Sequence, residues 1–299
     1  MKNSVRFSVL AGGHENKKPY WLKKNIPDLG AVKKLSRYLK DNLIETICLQ
    51  GKCPNLGECY GKSNLSFLIL GRQCTRNCAF CAVRHDVPQA PREEEPEKIA
   101  NAVRDIGIEY AVITSVSRDD LQDGGSRHFA SVVQSVKRHK PKCMVETLIP
   151  DFSGKHSDLK NVMRSGVDVL SHNMETVKRL HQVMRPGFSY NKSLEVLSRA
   201  RKTGNKDIKV KSGFMVGLGE TPLEIRQLMS DIRNAGCEYL AVGQYLRPGG
   251  EAVPVARYLP PEEFLEIEEH GKRLGYKGIS AGPFVRSSYN AKDLIKKET

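Results

Sequence analysis

The chain has 299 residues, 39% of them hydrophobic, with 48 basic residues against 34 acidic ones, a formal charge of +14. That length buries one large core or two ordinary ones, no apolar run nears the roughly 20 residues of a membrane helix, and the basic start (1–18) lacks the apolar stretch of a secretory signal, so a cytoplasmic chain without membrane association is expected. The basic excess favours an anionic partner, yet no RNA-binding signature, recognition-helix pattern or lysine-rich tail accompanies it, which argues against nucleic acid.

Residues 1–63 show poor periodicity, carry three cysteines (Cys48, Cys53 and Cys59), and read as an extension wrapped on the main body. From residue 64 the pattern changes. Strand-like runs at Phe67–Leu70, Tyr110–Ser115, Met144–Ile149, Val167–Ser171, Ile208–Met215 and Tyr239–Gly243 alternate with amphipathic stretches. Helix Asn101–Ile106 is announced by the acids Glu93–Glu95 and by Pro96, which suit a helix N-terminus. Phe129, Val132, Val133 and Val136 fall at helical spacing, as do Ile225, Leu228, Met229 and Ile232. The second of these helices opens on Thr221-Pro222-Leu223-Glu224, a capping box with proline at the first helical position, and stops at Gly236.

Alternating β and α units imply a parallel sheet clothed by helices. Six units are too few for an eightfold barrel, so the expected fold is α/β: an open, partial (β/α)6 TIM-like barrel over 64–274. N-terminal (1–63) and C-terminal (275–299) extensions flank it. Ligands of such folds sit at the C-terminal ends of the strands. The tail adds one strand-like piece after Gly275 and then Arg286-Ser287-Ser288-Tyr289, here called the RSSY segment.

Six of the eight cysteines crowd between Cys48 and Cys81, whereas Cys143 and Cys237 stand alone and read as packing residues. Cys74, Cys78 and Cys81 form C-x3-C-x2-C in the loop after the first strand. Three thiolates at that spacing hold three irons of a cubane cluster and leave the fourth iron open. An open iron suits chelation by the amino and carboxylate groups of S-adenosylmethionine (SAM), as in radical SAM enzymes, where the cofactor carries the hard chemistry. Structural zinc on Cys74, Cys78, Cys81 and His85 is the competing reading. Cys48, Cys53 and Cys59 form C-x4-C-x5-C, a spacing unusual for zinc or for ferredoxins.

CLQGKCPNLGEC followed by FLILGRQCTRNCAFCAV resembles the lipoyl synthase family, radical SAM enzymes with a second, auxiliary cluster. The resemblance runs from KPYWLKKNIP at Lys18–Pro27 to RSSYNA at Arg286–Ala291. It implies two 4Fe–4S clusters and SAM. It also implies insertion of two sulfurs, at C6 and C8 of a protein-bound octanoyl-lysine, from the auxiliary cluster on Cys48, Cys53 and Cys59. Six cysteines and one SAM leave one ligand position of eight, which the family fills with an RSSY serine: Ser288, with Ser287 as the other candidate. The resemblance further directs Thr114, Ser115, Asn173, Arg185 and Lys211 at SAM. The implied partners are octanoylated lipoyl-carrier domains (2-oxoacid dehydrogenase E2 or glycine cleavage H-type protein) and an electron donor such as ferredoxin or flavodoxin. The chain departs from the family at Ala252, where a histidine is typical.

Overall fold

The structure, a computed structural model, describes residues 18–24, 27–203 and 207–296; the basic start at 1–17 lies outside them. Three helices precede the sheet: α1 (Leu29–Asp41), α2 (Ile47–Gln50) and α3 (Leu56–Gly61). Then follow β1 (Ser66–Ile69), the two-residue strands β2 (Gln73–Cys74) and β3 (Arg84–His85), α4 (Glu95–Ile106), β4 (Tyr110–Ser115) and α5 (Ser126–His139). The middle of the chain gives β5 (Met144–Leu148), α6 (His156–Met163), β6 (Val169–Ser171), α7 (Lys178–Met184) and α8 (Tyr190–Lys202). The last part gives β7 (Lys209–Val216), α9 (Pro222–Asn234), β8 (Tyr239–Gln244), α10 (Pro261–Arg273), β9 (Gly278–Gly282) and α11 (Ala291–Lys296).

Seven strands form one parallel sheet in the order β1-β4-β5-β6-β7-β8-β9, and among the described residues no ladder joins β1 to β9. Among the described residues the sheet thus has seven strands and two unjoined edges, β1 and β9. Its strands are buried along nearly their whole length, which is why they read as apolar runs rather than as alternating ones. The six expected strands are all present. The seventh, β9, is the strand-like piece after Gly275, and it carries the sheet into the segment read as a tail.

The helices form for the reasons the sequence suggests. Phe129, Val132, Val133 and Val136 turn one fully buried face of α5 to the sheet. At α9 the Thr221 hydroxyl accepts from the Glu224 amide at 3.3 Å while the Glu224 carboxylate accepts from the Thr221 amide at 2.9 Å. Glu95, at the start of α4, does more than favour a helix N-terminus. Its buried carboxylate accepts from the Leu70 amide at 2.9 Å and lies 2.8 Å from His128 Nε2, so it pins the turn that leaves β1.

Both extensions meet at the sheet's open side. The segment before β1 bonds to it through the Leu68 amide and the Glu45 carbonyl at 2.9 Å, and α11 packs on β9. The two are then tied to each other. Asn55 Nδ2 donates to the Phe284 carbonyl at 2.6 Å, and the Tyr289 hydroxyl donates to Glu58 at 2.9 Å. Lys24 Nζ donates to Asn55 at 2.6 Å and to Glu58 at 2.7 Å, and lies over the rings of Phe284 and Tyr289.

Candidate functional site

The first cysteine trio rides on a loop closed by β2 and β3. Cys74 pairs with His85 across that ladder, and His85 Nδ1 lies 3.0 Å from the Cys74 carbonyl, so this histidine helps to close the loop. The loop is fastened on every side. The Ala79 amide donates to the Met184 carbonyl at 3.0 Å, and the Val253 amide to the Ala79 carbonyl at 2.9 Å. Arg76 makes a two-point contact with Asp119 at 2.7 Å, pairs with Asp151 at 2.9 Å, and stacks 4.0 Å from the Phe188 ring. Thr75 donates to Asp119 at 2.8 Å. Backbone amides point at the sulfurs: Ser117 N–H to Cys74 Sγ at 3.3 Å, and Val83 N–H to Cys81 Sγ at 3.4 Å.

The second trio spans two short helices. Cys48 lies in α2, Cys59 in α3, and Cys53 in the turn between them. Thr46 caps α2 by accepting from the Leu49 amide at 3.3 Å, and its hydroxyl lies 2.6 Å from that of Tyr60, which ties α3 to α2. The C-x4-C-x5-C spacing is thus the length of one helical turn, a tight turn and a second helical turn.

Within each trio the thiols feel one another. Burial pushes Cys78 up to about 12 and Cys81 up to about 11, and the neighbouring thiols of the loop add to both. Burial pushes Cys48 up to about 11 and Cys59 up to about 12, again with help from the rest of the trio. Alone, such thiols stay protonated and inert; a bound metal reverses the balance and takes them as thiolates. Among the described residues, no group of three or more Cys, His, Asp or Glu side chains is gathered closely enough to hold a single metal ion.

A cavity of about 330 Å³ opens at the C-terminal ends of the strands, where the fold places ligands. Cys48 and Cys53 of one trio and Cys81 of the other line it. Thr114, Asn173, Glu175, Arg286, Ser287 and Ser288 complete its polar wall, while Phe80, Leu148, Phe214, Met215 and Leu246 supply an apolar surface. A second cavity of about 270 Å³ is lined by Cys48, Cys59 and Ser288 on the outer side. Cysteines of both trios and both RSSY serines therefore surround one space.

The model of the Radical SAM superfamily matches residues 68–232. The lipoyl synthase of Caldicellulosiruptor saccharolyticus is 44% identical over 282 residues, 94% of this chain and 99% of that protein. The lipoyl synthase of Acidithiobacillus ferrooxidans is 46% identical over 275 residues, 92% of this chain and 86% of that protein. The chain belongs to the lipoyl synthase family. Solved structures agree on the fold: the FeFe-hydrogenase maturase HydG of Carboxydothermus hydrogenoformans matches with a TM-score of 0.58 at 13% identity, over 77% of this chain and 56% of that one.

Membership of the lipoyl synthase family implies SAM and 4Fe–4S clusters, and the donor set fits them. Two trios of soft thiolate ligands are clustered, and polar atoms near them lack partners. Ser115 Oγ, Arg185 Nε, Arg76 Nη1 and His172 Nε2 are buried without a hydrogen bond. Unpaired groups of this kind are costly unless a ligand satisfies them. Burial, and then the Arg185 guanidinium, hold His172 well below the usual imidazole range, so it is neutral at pH 7.

The residues directed at SAM are not placed alike. Thr114 lines the main cavity and its hydroxyl donates to the Leu148 carbonyl at 3.0 Å. Asn173 lines it too, with Nδ2 donating to Glu175 at 2.9 Å and Oδ1 accepting from the Ser287 hydroxyl at 2.8 Å. Arg185 is buried over the Phe188 ring at 3.8 Å, donates to the Asn173 carbonyl at 3.0 Å, and its charge reaches Cys78. Lys211 is different: it is fully buried, donates to Glu146 at 2.8 and 2.9 Å and to the Ser287 carbonyl at 2.5 Å, and has no share in the lining.

Several residues of the site were not legible in advance. Arg76, Asp119 and Asp151, which no motif or spacing singles out, hold the cysteine loop. Glu175 and Arg286 line the cavity, and burial raises Glu175 and lowers Arg286. The strap 246–253 crosses the loop. Ala252, at the family's histidine position, is buried there, its carbonyl accepting from Arg247 at 2.7 Å. Cys143 and Cys237 are buried away from both trios, as packing residues should be.

Proposed function

We propose that this chain inserts two sulfurs, at C6 and C8, into an octanoyl group carried on a lysine of another protein, forming lipoyl. One observation carries the reading: a single cavity is lined by cysteines of both trios, by the RSSY serines, and by an apolar surface suited to a thin acyl chain. The Cys74, Cys78 and Cys81 thiolates hold a 4Fe–4S cluster with an open iron for SAM, and that pair supplies a hydrogen-abstracting 5′-deoxyadenosyl radical when bound. Cys48, Cys53, Cys59 and Ser288 would hold the auxiliary cluster, which is a substrate because its sulfide leaves in the product. Serine oxygen is a weak, exchangeable iron ligand beside thiolate, suited to a cluster that must open. Thr114, Ser115, Asn173 and Arg185 face SAM, Arg185 suiting a carboxylate.

The division of labour follows the chain: 1–63 and 275–299 carry the auxiliary ligands, and 64–274 the SAM-binding barrel. The acceptor is a small, acidic lipoyl-carrying domain of the 2-oxoacid dehydrogenase E2 or glycine cleavage H type. The +14 charge steers that encounter. Electrons arrive from a ferredoxin or flavodoxin. A cytoplasmic setting suits eight free cysteines, and among the described residues no helix is long and apolar enough to cross a membrane. The test is anaerobic purification, iron analysis, and incubation with SAM, dithionite and an octanoyl-lysyl peptide. About eight irons per chain and a product carrying two added sulfurs are expected. Zinc without iron, or SAM cleavage with no sulfur transfer, sinks the proposal.

A further inference from the structure

We infer that the buried Lys211–Glu146 pair is a positioning device for the RSSY segment. It holds the Ser287 carbonyl and so sets where Ser288 presents its hydroxyl to the auxiliary cluster. The inference rests on the reading of Ser288 as a ligand of that cluster.

Lys211 stands on β7 and Glu146 on β5, with both side chains at 0% exposure inside the barrel. A lysine ammonium has three donors. Here three oxygens surround it: both of Glu146, at 2.8 and 2.9 Å, and the Ser287 carbonyl at 2.5 Å. Glu146 is steadied in turn by the Tyr110 hydroxyl of β4, which donates at 2.6 Å. Three strands thus contribute to holding one carbonyl of the C-terminal segment.

An ion pair this deep is a poor source of stability, because desolvating both charges cancels most of their attraction. Geometry is what it does supply. The carbonyl of residue 287 and the amide of residue 288 belong to one rigid peptide plane. Holding that oxygen restricts where the nitrogen and the Cα of Ser288 can lie, and leaves its φ and its side-chain torsion to aim the hydroxyl. The other half of Ser287 is held as well: its hydroxyl donates to Asn173 at 2.8 Å. Gly213, beside both, lacks the Cβ that would come within 2.8 Å of that hydroxyl. Ser287 is spent on these contacts. Ser288, next in the chain, lines both the inner cavity with Cys48 and Cys53 and the outer one with Cys48 and Cys59. A weak ligand needs this aim more than a thiolate does, since it contributes little binding energy of its own to hold the segment in place.

The test is the rate at which a chelator removes iron from the anaerobically purified holoenzyme. Lys211→Met alone strands a buried carboxylate, so the pair is replaced together in Tyr110→Phe/Glu146→Leu/Lys211→Met, and unaltered thermal melting certifies its fold. Tyr110→Phe alone, which loosens Glu146 without removing a charge, is the milder variant. The triple variant is expected to lose the roughly four auxiliary irons at least about tenfold faster than the parent, and Tyr110→Phe to fall between them. On a Ser288→Ala background neither set should accelerate the loss further, since the device acts only through that serine. Equal rates in parent and variants overturn the inference. So does an acceleration that persists on Ser288→Ala, which marks a merely structural role. A parent chain that binds only about four irons refutes the auxiliary-cluster reading itself, and the inference with it.

Discussion

Gly213 and Gly243 show how little room the C-terminal segment leaves at the strand ends. A Cβ on Gly213 would approach the Ser287 hydroxyl to 2.8 Å, whereas one on Gly243 would lie 2.0 Å from the Val285 carbonyl. At Gly213 the tightest neighbour is a hydroxyl that can swing away and the nearest backbone atom, the Ala241 carbonyl, stands at 3.1 Å, whereas at Gly243 the tightest neighbour is itself backbone. Gly213→Ala is expected to melt near the parent temperature yet retain less auxiliary iron. Gly243→Ala is expected to lose about 1–3 kcal/mol by denaturant melting. The two trios separate in the same way. Cys78→Ala and Cys53→Ala should each leave about four irons per chain. Only Cys53→Ala should still release 5′-deoxyadenosine from SAM, without sulfur transfer; release by Cys78→Ala would assign the trios wrongly.

Two threonine caps serve different elements. Thr221 opens α9 on the outside of the sheet, while Thr46 opens α2 and also binds Tyr60 of α3. Thr221→Ala should cost about 1 kcal/mol, seen as a shift of about 2 °C in Tm, with iron content unchanged. Thr46→Ala should lower auxiliary iron selectively, because it unties the two helices that carry Cys48 and Cys59; equal iron in both variants would remove that role from Thr46. The contrast also marks what was legible. Strands with long Val, Ile and Leu runs and helices with a clean apolar face were readable, α9 and its cap included. β9, built of Gly, Ile, Ser, Ala and Gly, reads in the sequence only as a strand-like piece of the tail; its place in the sheet comes from the edge that β8 offers. Helices of four and six residues such as α2 and α3 fall below the length at which periodicity carries information, and they persist through tertiary contacts.

At the scale of the whole chain, the cysteine spacing announced the chemistry, but not how the ends of the polypeptide come together. Nothing local reveals that Asn55 meets the Phe284 carbonyl, 229 residues away, or that Glu58 meets Tyr289, 231 residues away. Those contacts staple the N-terminal extension, which bears Cys48, Cys53 and Cys59, to the RSSY segment, and Lys24 stands at their centre. The Lys24 ammonium, with hydrogen bonds from Tyr289 and Lys62, holds the Glu58 carboxyl down to about 2 against the effect of burial. A carboxylate depressed in the folded state stabilises it above the unfolded pKa and loses that contribution as the pH falls through the folded one. The staple should therefore be complete above about pH 4.5 and open progressively towards pH 2. Trp21, the single tryptophan, lies three residues before Lys24 in the chain and is the probe used. In the iron-free chain its emission should shift across that acid window. Glu58→Gln should show the shifted emission already at neutral pH and lose the transition. An unchanged transition in Glu58→Gln would mean that another group holds the two ends together.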